Sequence, residues 1–173
     1  MRYFLVLAAV GLFLSGCSLF RNEEVARACP RLGIVADAAE LVRYREGAGR
    51  DITDQLLTAK FSDVSGNCRY DKASANVDMK VSIVAERGAA MHEPGAEVEY
   101  FVAVTGPGDE ILAKENFRSR LEFGGRNRAG IVEELAQRIP MPSDTDGSGY
   151  SVLVGFQLTP EELANNRRRR GER

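Results

Sequence analysis

The sequence predicts an all-β fold, a two-sheet immunoglobulin-like sandwich of about eight strands with a short C-terminal helix, and three observations carry that expectation. Apolar and polar residues alternate with a period of two over one segment after another, the pattern of half-buried strands. Gly, Pro, Asn and Asp bound those segments at short intervals, with no βαβ rhythm between them. The chain has 173 residues, 44% apolar and 28% charged, which suffices for a buried core and excludes whole-chain disorder and a multi-span membrane protein. The term immunoglobulin-like describes architecture alone, since the chain has no Trp and no Cys-Trp-Cys pattern.

Taken in order, the first segment is ambiguous. GIVADAAELVRYR, 33–45, fits either a bent edge strand pair or a short Ala-rich helix, and its strand neighbours favour strands. LLTAKFSDV from Leu56 and CRYD from Cys68 read as two strands separated by a turn at Ser65 to Asn67. ANVDMKVSIVAE is the clearest strand: Val77, Met79, Val81 and Ile83 share one face, and Asn76, Asp78, Lys80 and Ser82 the other. The Gly- and Pro-punctuated ERGAAMHEPGAE is a loop joining neighbouring strands. EVEYFVAVT places Val98, Tyr100, Val102 and Val104 on one side and Phe101 and Ala103 on the other, a strand covered on both faces.

After the turn TGPGDE, Phe117, Leu121 and Phe123 alternate with Arg118, Arg120 and Glu122 in a strand over 111–123. GIVEELAQRIP fits a helical face through Ile131, Val132, Leu135, Ala136 and Ile139, or a strand running into Pro140. The proline and the β context favour strand. YSVLVGFQL is a strand with Val152, Val154, Phe156 and Leu158 inward. In LTPEELANNRRRRGER, Thr159 is an N-cap, Pro160 the first helical residue and Glu162 the third position of a capping box, with Leu158 and Leu163 placed as a staple. Arg167, Arg168, Arg169 and Arg170 then lie where cations suit the helix dipole.

The amino terminus reads as an address. Arg2 precedes the apolar stretch from Tyr3 to Leu14, which is well short of the roughly 20 residues of a spanning helix and has the form of a secretory signal. LSGC (Leu14, Ser15, Gly16, Cys17) follows directly and resembles the lipobox of bacterial lipoproteins. The resemblance implies cleavage after residue 16 and diacylation of the Cys17 thiol. Ser18, not being Asp, implies sorting to the outer membrane on the periplasmic side, and leaves exposure on the outer surface open. As a whole the chain looks like the small envelope lipoproteins of bacteria with two membranes, a resemblance that carries location and no activity. The expected organisation is a signal over 1–16, a lipidated tether over 17–28, a sandwich over 29–158 and a basic helix or tail over 159–173. The tether spans about 40 Å at most.

With Cys17 assigned to lipid, Cys29 and Cys68 remain as an even pair in an oxidising compartment, and a disulfide between them is expected. There is no CxxC motif and His92 is the sole histidine, which disfavours a redox or metal centre. His92 lies in a loop and no GxSxG elbow is present, so a Ser-His-Asp triad is not expected. Asp51 with Asp54, Asp109 with Glu110, and Asp144 with Asp146 each flank turn residues. SDTDGSGY opens like a calcium loop, but the twelfth position from Asp144 is Gly155 where a bidentate Glu is required. REGAGRD, 45–51, lacks the lysine of a phosphate loop.

Formal charge is −2. The one asymmetry is the C-terminal run, whose arginines fit anionic head groups or an acidic partner. Nucleic acid is excluded by compartment. The expectation is therefore a non-catalytic envelope binding or adaptor module, with no cofactor, no metal and no small-molecule substrate. It would be held to the membrane by lipid on Cys17 and would meet an envelope protein through a sheet edge or the basic tail. The alternative is a structural or ligand-binding module on lipid head groups or cell-wall polymer.

Overall fold

The computed structural model describes residues 27–171 except Ala48. Eight strands form two four-stranded sheets. They are β1 (Arg31–Ile34), β2 (Glu40–Tyr44), β3 (Gln55–Tyr70), β4 (Ser74–Arg87), β5 (Gly95–Thr105), β6 (Ile111–Glu122), β7 (Arg128–Pro140) and β8 (Ser151–Phe156), followed by the helix α1 (Pro160–Gly171). One sheet has the order β1-β8-β5-β6 and the other β2-β3-β4-β7. The all-β two-sheet sandwich with a terminal helix is therefore the fold. Every strand pairing is antiparallel except β1 with β8.

The period-two pattern does what it predicts. Val77, Met79, Val81 and Ile83 of β4 are buried against Val98, Tyr100 and Val102 of β5 and Val152, Val154 and Phe156 of β8. The stretch 33–45 is the bent strand pair: β1 joins one sheet, a 3-10 turn at Ala36–Ala38 reverses the chain, and β2 joins the other. GIVEELAQRIP is a strand throughout, because β4 supplies a ladder partner for each of its residues. Tertiary pairing thus overrides the helical propensity of EELAQ. β5 is covered on its second face as well, where Gly155 lets the Phe101 ring and Ala38 approach the sheet closely.

Two expectations are corrected. Ser65 to Asn67 do not turn: β3 runs unbroken from Gln55 to Tyr70, with Ser65, Gly66 and Asn67 opposite Lys80, Met79 and Asp78. Gly66 is there for space, since a Cβ would overlap the Asp78 carbonyl and press on Leu32 of the facing sheet. A Ser-Gly-Asn turn signal and a close sheet contact call for the same small residue, and the long ladder with β4 decides between them. The loop after β4 does not join ladder neighbours either, because it carries the chain from one sheet to the other.

Helix α1 begins where its cap places it. The Glu162 amide donates to Thr159 Oγ1 at 3.2 Å and the Thr159 amide donates to Glu162 Oε2 at 2.7 Å, a reciprocal capping box.

Candidate functional site

Cys17 lies outside the described residues. Cys29 and Cys68 form the expected disulfide, with Cα atoms 5.8 Å apart. It fastens the N-terminal entry to the end of β3, and other contacts gather there. The Tyr70 hydroxyl donates to the Ala28 carbonyl, and the Arg27 guanidinium lies 4.0 Å from the centre of the Tyr70 ring. The Gly147 amide also donates to the Ala28 carbonyl at 2.8 Å, and a side chain at Gly147 would collide with Pro30. The chain therefore enters the sandwich at one fixed pole.

The arginine run is not a free tail. Arg167 donates to Asp37 at 3.0 Å, Arg170 also pairs with Asp37, and Arg169 pairs with Glu40. Between them Asn166, only 6% exposed, donates its amide to the carbonyls of Asp37 at 3.0 Å and Glu40 at 2.7 Å. Among the described residues Arg168 alone of the four makes no ion pair. Sequence reasoning missed Asp37, Glu40 and Asn166 as partners. They are separated from the run by about 130 positions, and no local pattern announces a contact of that range.

Two expected results follow for this helix. Asn166→Ala removes the donor shared by two carbonyls, at a cost of about 1–3 kcal/mol to docking. Trypsin should then cleave at Arg167 to Arg170 well before it cleaves the sandwich, whereas wild type is cut at both only on unfolding. The second concerns pH. The Arg167 guanidinium bonded to Asp37, with Arg170 beside it, holds this carboxyl below its ordinary value of 3.8. A depressed folded-state value stabilises above the ordinary value and is lost as pH falls through the depressed one. Protection factors of the α1 amides, that is exchange relative to the intrinsic rate at each pH, should thus be unchanged from neutrality down to about pH 4 and fall below it.

The remaining candidates resolve into local structure. Asp51 accepts from the Thr53 amide and caps a 3-10 turn, while Asp54 pairs with Arg45. Asp146 accepts from the Ser148 amide at 2.9 Å and hydroxyl at 2.6 Å, bonds that lower its carboxyl below the ordinary value. Asp109 occupies a left-handed turn at φ 62°. His92 is exposed, and its own amide donates to Glu93. Among the described residues no three His, Cys, Asp or Glu side chains gather as a metal site would require, and no helix is long and apolar enough to cross a membrane.

What the sequence did not announce is which strands form the open edges. β6 and β7 are the outer strands of their sheets on the same side of the sandwich, each long and, among the described residues, unpaired along one edge. The Phe123 amide donates to the Pro94 carbonyl, so odd-numbered residues in the adjoining part of β6 turn their backbone groups toward β5 and even-numbered ones turn them outward. The same parity holds on β7, where Met141 donates to Ala73 and Arg87 donates to Asn127. Ile111, Leu112 and Val132 are exposed along these edges. Ser119 of β6 donates to Glu133 of β7 and ties the two strands at one level. A groove of about 500 Å³ lies across β3, β4 and β7, with Ser65, Lys80 and Glu134 in one row and Asn67, Asp78 and Ala136 in the next. Its charges are already engaged, Lys80 with Glu134 at 2.9 Å and Asp78 with Arg69 at 2.7 Å.

No protein-family model matches the chain, and no curated protein matches it.

Proposed function

We propose that the protein is a non-catalytic envelope lipoprotein, anchored by lipid on Cys17 at the periplasmic side of the outer membrane, that works as an adaptor by pairing a sheet edge with an envelope protein. The observation that carries this reading is the unpaired edge of β6, a row of backbone donors and acceptors 12 residues long. Its outward-facing even positions bear Lys114, which makes no ion pair among the described residues, and Arg118 and Arg120, which reach Glu99 and Glu122 on the exposed surface; an acidic extended segment of the partner would meet all three. The head-group or cell-wall reading rests on the arginine run, and three of those four side chains already hold carboxylates of this chain.

The test is a photo-cross-linking amino acid at Asn116, in the middle of the β6 edge, in the full chain in cells. One discrete envelope protein captured there, and lost when Lys114, Arg118 and Arg120 are changed to Glu, supports the adaptor. Adducts only to lipid or glycan, or none, overturn it. Labelling by a fatty acid that disappears in Cys17→Ser tests the anchor separately.

A further inference from the structure

We infer that the edge of β7 is a self-recognition surface, where a second copy of this chain pairs antiparallel with the first to give one continuous eight-stranded sheet. This rests on the reading of the sheet edges as binding surfaces, but it concerns β7 and not β6.

The four edges of the sandwich are not alike. β1 has four residues and β2 has five with an irregularity in its ladder, so both are blunted. β6 breaks register with β5 at Val104 and Thr105, near its start. β7 is 13 residues long, pairs with β4 without a bulge, and turns the backbone N–H and C=O groups of Gly130, Val132, Glu134, Ala136 and Arg138 away from β4. Pro140, which has no N–H to offer, stands in the same outward series.

The register follows from charge and parity. A twofold axis normal to the sheet keeps both inner faces on one side only if paired residue numbers sum to an even value. Centring the pair on Glu134 sets like charges against each other and centring it on Leu135 sets Glu134 against Ala136, whereas centring it on Ala136 sets Glu134, which also holds Lys80, opposite Arg138 twice, with Val132 opposite Pro140 at the ends. In that register Ala136 and the Glu134–Arg138 pairs fall on the hydrogen-bonded positions, using backbone groups that β4 leaves free. Half-buried Leu135 gains cover on the inner face from the second copy. Gln137 and Cys68 both stand opposite Val77, so the disulfide, two strands in from the edge, lies one residue from the axis in height along the strands. Both chains therefore enter the pair at nearly the same height along the strands.

Sedimentation of the full chain in density-matched detergent over a wide concentration range reads the association. A concentration-dependent dimer is expected. Ala136→Pro should abolish it with far-UV dichroism unchanged and with melting unchanged at dilutions where wild type is also monomeric, because the lost N–H faces away from β4. Either E134R or R138E alone should weaken the dimer about tenfold, since two symmetric charge pairs are inverted at once. The double variant should recover most of that loss, which a merely structural effect would not. A monomer at every concentration, or a dimer indifferent to Ala136→Pro, or no recovery in the double variant overturns the inference. None of these outcomes bears on capture of a partner at Asn116.

Discussion

Replacing Cys29 and Cys68 together by Ala is expected to lower the free energy of unfolding by about 4 kcal/mol, a large part of the roughly 5–15 kcal/mol that a domain of this size has available. The magnitude comes from the loop the bond closes, since the two residues are 39 apart in sequence and an open loop of that length gives the unfolded chain much freedom. The native contacts around the bond explain why the folded form should survive the change. The Tyr70 hydroxyl still bonds the Ala28 carbonyl, Arg27 still covers the Tyr70 ring, and β1 still pairs with β8. Denaturant titration of the oxidised protein against the double variant checks this. A drop in midpoint with a somewhat steeper slope is expected, because the unfolded chain without the cross-link exposes more surface, and a loss under about 1 kcal/mol would mean that the unfolded chain is already constrained at this point without the bond.

The strands were legible because burial imposes a strict alternation on them, and β4 shows it best: each of its inner positions from Val77 to Ile83 is apolar and each outer one polar. The capping box at Thr159 and Glu162 was legible for a similar reason, being a local pattern with a local cause. The disulfide followed from parity once Cys17 had been set aside. By contrast, the continuity of β3 through Ser65 to Asn67 depends on β4 and on Leu32 in the facing sheet, which nothing within the tripeptide records. The docking of α1 joins Asp37 to Arg167 and Arg170 across most of the chain, and a charged run looks the same in sequence whether it is solvated or clamped. The open side was invisible for a third reason. Strand pattern reports which face is buried, whereas being the last strand in a sheet is a property of topology.

Phe156→Ala should cost about 3–5 kcal/mol, the range for emptying a large core position. Phe156 is 1% exposed, stacks on Phe61 with ring centres 4.3 Å apart, and stands opposite Tyr100 in the β5–β8 ladder. Tyr100 meets Phe61 edge-on at 6.2 Å and stacks on Phe117 at 5.4 Å. Phe61 alone of these four comes from the β3 sheet, so it is the ring through which this cluster joins the two layers. Phe61→Ala is expected to be costly for the same reason, and the double variant should lose less than the two single losses added, by about 0.5–1.5 kcal/mol of ring-ring coupling. The cluster also reaches the open side. Burial raises the Tyr100 phenol above its ordinary value, and its hydroxyl lies beside Ser119, which donates to Glu133 of β7. A cavity at Phe156 loosens that line of contacts at its root. In native-state hydrogen exchange the Phe156→Ala protein should therefore lose protection at Ser119 and Glu133 along with the core. Equal protection there in variant and wild type would show that the β6 and β7 edges are held in place independently of the aromatic cluster.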